Sequence, residues 1–172
     1  MLALLKLVQS LVKTLHSEGT PNQIAFGTAL GACLGLTPLV NLHNLVILIA
    51  LAMLNVSFGA GMLAWAVFVP VGFMFDPLFD RLGHLLLVDT VALRPMWTAL
   101  DNTPLLALAS LGNTVVLGSL VAWVVLAIPI FIATRILVRH YRAVLAPRVE
   151  RSKFYRAVTA SQIYNVYRWF QP

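Results

Sequence analysis

From Gly19 to Phe75 the chain holds no Asp, Glu, Lys or Arg in 57 consecutive residues. A charge at the centre of a bilayer costs about 2.5–3.5 kcal/mol on insertion scales, and soluble domains are about a quarter charged. Such a gap excludes a water-soluble domain and makes hydrocarbon the expected solvent. Cysteine is nearly missing too. Cys33 alone, inside the apolar run, excludes an intrachain disulfide and a cysteine metal cluster. Its expected role is that of a small residue at a helix contact.

Catalytic patterns are also absent. There is no Gly-x-Ser-x-Gly elbow, phosphate loop, His-Glu-x-x-His pair or group of intramembrane acids. The deep segments offer His43 alone as an ionisable group, which argues against an autonomous proton- or sodium-coupled pump. No second ligand stands at workable spacing from His43, so no metal and no cofactor is expected, and the chain is read as a non-enzyme. A cleavable signal peptide is not expected either, because Leu2–Val12 contains Lys6 and no small-x-small pattern follows.

What is present is apolar bulk with charge at the edges. Of 172 residues, 60% are hydrophobic and 10% charged, which fits one membrane domain with short flanks. Eight of the twelve Lys and Arg lie from Arg135 onward, where Glu150 is the only acid. Four acids between Asp76 and Asp101 face only Arg81 and Arg94. The positive-inside rule therefore places both ends in the cytoplasm and the middle on the other side of the membrane. A basic tail abutting a span more simply reads anionic lipid headgroups than nucleic acid.

The predicted architecture is all-α. Residues 1–18 read as an interfacial amphipathic helix, with Leu4, Leu5, Val8, Leu11, Val12 and Leu15 on one stripe, stopped by Gly19-Thr20-Pro21. Residues 19–134 form the membrane domain and residues 135–172 a basic cytoplasmic tail. Within the domain, Ile24–Leu36 and Leu42–Leu54 are each 13 residues, short of the roughly 20 that a span needs. Two half-helices meeting at Pro38 as a re-entrant hairpin are expected; one kinked, tilted helix is the competing reading. Phe58–Phe75 is the next apolar segment, kinked at Pro70. Asp76-Pro77 then reads as a cap and first position of a short helix to Val88, and Asp89–Thr103 as a loop with Trp97 at the far interface. Pro104–Thr134 is charge-free and gives the clearest full span, closed by Arg135, Arg139 and Arg142.

Gly27, Gly31 and Gly35, with Ala25, Ala29 and Ala32 between them, form a small-x-x-x-small face for close helix packing. The run Pro21-x-x-Ile24-Ala25-x-Gly27-x-Ala29-x-Gly31-x-x-x-Gly35-x-x-Pro38 resembles the signature of an uncharacterised family of small bacterial inner-membrane proteins. The resemblance continues through Asn55 to Gly83-x-Leu85-Leu86, over about residues 21–88. Many members have Asn-Pro where this chain has Val69-Pro70. The family implies a fold and a compartment rather than a reaction. A branch of similar proteins is encoded beside large AsmA-like envelope proteins that bridge lipids between membranes, and membership there implies a lipid-trafficking partner.

Three groups of residues stand as site candidates. The first is the polar knot of Thr37, Pro38, Asn41, His43 and Asn44, a lipid or ligand path at membrane depth, or else the means by which two helix ends are capped. The second is Asp76, Asp80 and His84, four residues apart on one helix face beside Arg81; Asp80 and His84 could share a proton or a metal, with Asp76 as a cap, or else the face is solvated with a local ion pair. The third is Arg135, Arg139 and Arg142, as headgroup or partner contacts or as an orientation signal. The functional expectation is a subunit that anchors, or feeds lipid to, a larger envelope protein. The alternative is a lipid flippase or small-solute transporter working as a homo-oligomer.

Overall fold

The structure is a computed structural model that describes residues 19–103 and 108–145; the expected interfacial helix at 1–18 and the tail from Arg148 lie outside them. The described residues are helices and turns with no strand. Residues 19–135 make one compact unit, and residues 136–145 belong to another.

Helix α1, Pro21–Leu36, opens on a capping box. The Thr20 hydroxyl accepts from the Gln23 N–H at 3.2 Å, and the Gln23 side-chain oxygen accepts from the Thr20 N–H at 2.7 Å. Pro21 in the first turn needs no donor partner. The helix stops at Thr37, which is extended (φ −100, ψ 149), because Pro38 disfavours helical geometry in its predecessor and carries no N–H. Helix α2, Leu42–Met53, then returns antiparallel to it. Two bonds fix the return: the Gln23 amide nitrogen donates to the Asn55 side-chain oxygen at 2.7 Å, and the Ser57 N–H donates to the Gln23 carbonyl at 3.0 Å. At 1.5 Å per residue the two helices measure about 24 and 18 Å, against a hydrocarbon thickness of about 30 Å.

Helix α3, Phe58–His84, is continuous through both Pro70 and Pro77. The expected break at Asp76-Pro77 does not occur, and Asp76 is an interior residue rather than a cap. Each proline removes one helical bond. Ending and restarting the helix would instead bare about four N–H and four C=O groups. The expected loop after Asp89 is also partly helical. A π-turn at Leu85–Asp89 and a 3₁₀ turn at Val91–Leu93 lead into α4, Arg94–Asp101, with Pro95 in its first turn. Trp97 donates its indole N–H to the Leu86 carbonyl at 3.0 Å, folding α4 back on the end of α3. Helix α5, Thr114–His140, starts later than the charge-free run does. The reason is Asn113, whose side-chain oxygen accepts from the N–H groups of Val115 and Val116 at 3.0 and 3.2 Å.

Two helical stretches, Phe58–Asp89 and Thr114–Val144, are long and apolar enough to cross a membrane. In each, 22% of the most apolar window is buried within the protein, so the greater part turns apolar surface outward.

Glycine sets the helix contacts. A Cβ on Gly27 would meet the Ser57 carbonyl, one on Gly31 the Gly61 carbonyl, and one on Gly35 the Phe68 side chain. The partners advance with the glycines, so α1 and α3 run parallel with their backbones in contact. A second close crossing joins α3 to α5, where a Cβ on Gly83 would strike the Thr114 carbonyl and one on Gly118 the Phe79 carbonyl. Asp80 accepts a hydrogen bond from the Thr114 hydroxyl at this crossing. Trp123 of α5 donates to the Ala29 carbonyl of α1 at 2.8 Å, and Phe131 meets Phe26 with ring centres 4.5 Å apart.

Candidate functional site

The polar knot lies where α1 turns into α2, and most of its hydrogen bonding is internal. The Thr37 hydroxyl stands 2.8 Å from both the Cys33 carbonyl and the Asn44 side-chain oxygen, so its single proton is shared between them. Asn44 returns a donor to the Pro38 carbonyl at 2.7 Å, and Asn41 donates to that same carbonyl at 2.7 Å. Thr37 and Asn44 are buried; Pro38 is exposed. Four of the five candidates are therefore brought together. His43 stands apart: its ring nitrogens are buried beside the Ala109 backbone and take no part in the bonding of Thr37, Asn41 and Asn44.

Two concave surfaces flank this tip. One, of about 500 Å³ and open on one side, is walled by Leu34, Leu39, Leu42, Leu45, Leu48 and Trp65, with Asn41 and Asn44 at its polar edge. The buried Trp65 indole N–H has no acceptor among the described residues. The other, of about 270 Å³, lies between the end of α1 and the middle of α3 and includes Gly35, Thr37, Pro38, Gly72, Phe73 and Asp76.

Asp76, Asp80 and His84 share a helix but not a site. Asp76 faces the smaller groove, Asp80 is engaged by Thr114, and His84 pairs with Asp89 at 3.5 Å on an exposed surface. Among the described residues no three His, Cys, Asp or Glu side chains converge as metal ligands. Arg135 and Arg139 lie on the last turns of α5, with Arg142 in the turn that follows. The Arg135 Nε is buried and has no acceptor among the described residues.

Sequence reading missed Gln23, Trp65 and Trp123. The Thr20-x-x-Gln23 spacing was a legible capping signal, whereas nothing in the sequence marks which carbonyl a tryptophan will reach.

These elements define an all-helical arrangement, among the described residues, with two helices able by length and composition to cross a bilayer and a polar-tipped pair packed against one of them. The chain belongs to the family described as "Uncharacterized protein conserved in bacteria (DUF2062)", whose model matches residues 6–144. It is similar to an uncharacterized protein of Treponema pallidum (strain Nichols), 30% identical over 146 residues that cover 85% of this chain and 90% of that protein. No solved structure matches it.

Proposed function

We propose that this protein is a non-enzymatic, multi-pass subunit of the bacterial inner membrane that holds, or feeds lipid to, a larger envelope protein of the AsmA-like kind. In this reading α1 and α2 enter the bilayer from the cytoplasmic side and return to it as a re-entrant hairpin. Helices α3 and α5 cross, and both termini are cytoplasmic. The observation that carries the lipid assignment is the 500 Å³ concavity beside the tip, whose walls are leucine and tryptophan. Its size lies within the range of ligand sites, and its lining suits an acyl chain rather than an ion. The knot supports the same side of the choice. Thr37, Asn41 and Asn44 are bonded to one another and to Pro38, so they do not present a string of free groups along which a polar solute could pass.

Two experiments test this. Cysteine accessibility, with Cys33 first replaced by alanine, should label position 55 from the cytoplasm and leave position 40 unlabelled from that side. Labelling of position 55 from the periplasm would reject the topology. Crosslinking in native membranes should capture an envelope protein. If nothing is captured and reconstituted protein moves labelled phospholipid across liposomes by itself, the flippase reading replaces the subunit reading.

A further inference from the structure

Among the described residues, the end of α1 gathers backbone acceptors without their helical donors. In a continuing helix the carbonyls of Leu34, Gly35 and Leu36 would take the N–H groups of residues 38, 39 and 40. Pro38 has none, and neither Leu39 nor Val40 donates to them. The aligned peptides concentrate about half a negative charge at this end. Helix α3 adds to the imbalance, because Pro77 removes the helical donor of the Phe73 carbonyl. Asp76 lines the same groove of about 270 Å³, and among the described residues it makes no ion pair and no side-chain hydrogen bond. The Thr37 hydroxyl proton is already engaged by Cys33 and Asn44. One carboxyl group, a helix C-terminus and carbonyls without helical donors, that of Gly35 beside Gly72, together suit a cation carrying several N–H donors.

The apolar part of the wall, Leu36, Pro38, Val69 and Phe73, makes the groove an organic-ligand site rather than a cage for a bare metal ion. Its depth is informative. Asp76 lies 18 residues beyond Phe58, about 27 Å along the helix, near one boundary of a hydrocarbon core about 30 Å thick. Lipid headgroups lie at that level. We propose that this groove binds the primary ammonium of an aminophospholipid headgroup, its three N–H bonds directed at Asp76 and at the carbonyls that end α1. The assignment rests on the lipid-handling reading above and names the headgroup it selects.

The test uses the full chain purified in mild detergent and offered equal amounts of phosphatidylethanolamine and phosphatidylcholine, with retained lipid counted by native mass spectrometry. The quaternary choline group has no N–H to donate. Retention should favour phosphatidylethanolamine by about tenfold, the size expected for charge-assisted hydrogen bonds. Asp76→Asn should bring the two lipids to near parity, and Asp89→Asn, in the exposed pair with His84, should leave the preference intact. Equal retention by the unaltered protein, or an undiminished preference in Asp76→Asn, overturns the headgroup assignment while leaving lipid binding in place. Retention of neither lipid overturns both readings. If Asp76→Asn does not elute as a folded species, the unaltered protein is tested with mono-, di- and trimethylated ethanolamine lipids. Retention must then fall with each N–H lost, and a flat series overturns the proposal.

Discussion

Helices α1 and α2 are similar charge-free arms in the sequence, yet the structure uses them oppositely. Ten of the 16 residues of α1 are buried, against Asn44 and Leu51 alone among the 12 of α2. The more hydrophobic arm is the more exposed one: Leu45, Val46 and Ile49 turn outward, while α1 buries Gly27, Gly31, Gly35 and its alanines. In water this arrangement would be inverted. In lipid, leucine and isoleucine are as comfortable against acyl chains as against protein, and burial follows small size because small residues let backbones meet. The difference between the arms thus supports a membrane setting more directly than hydropathy does.

That contrast can be broken. The largest effect is expected for Gly31→Leu, whose Cβ would enter the Gly61 carbonyl, a backbone atom with little room to withdraw. A loss of about 3 kcal/mol or more is expected in detergent unfolding titrations, or failure to recover folded protein. Asn44→Ala comes next. It strips the Pro38 carbonyl of one donor and leaves the buried Thr37 hydroxyl with a single acceptor, at a cost of about 1–3 kcal/mol by the same titration. Gln23→Ala removes one half of the capping box and the bond to Asn55, and about 1 kcal/mol should be lost. The smallest effect belongs to Ile49→Ala on the outward face of α2, within about 0.5 kcal/mol. If Ile49→Ala proves as damaging as Gly31→Leu, that face is a protein interface, and the contrast between the arms must be restated as two kinds of packing.

The sequence made some of this legible for identifiable reasons. Pro38 and the polar residues around it ended α1 and started α2 where length arithmetic placed them, because proline acts on its immediate neighbours. The glycine spacing announced a close contact but not its partner, since Ser57, Gly61 and Phe68 are specified only by the way α3 returns. Asp76-Pro77 misled because a proline in a first turn and a proline within a helix look the same locally; the choice is made by how many backbone groups a break would bare. For the candidate site, the knot was visible as composition. Its internal bonding was not, because Thr37, Asn41 and Asn44 meet Pro38 only once the turn has formed. The smaller groove escaped notice altogether, as it needs the end of α1 and the middle of α3 side by side.

The glycine seam between α1 and α3 also bears on biosynthesis. The atoms that receive Gly27, Gly31 and Gly35 belong to Ser57, Gly61 and Phe68, so α1 gains its packing from residues synthesised after it. The hairpin would settle only once Gly61 had emerged to meet Gly31, which makes the order of translation the order of assembly.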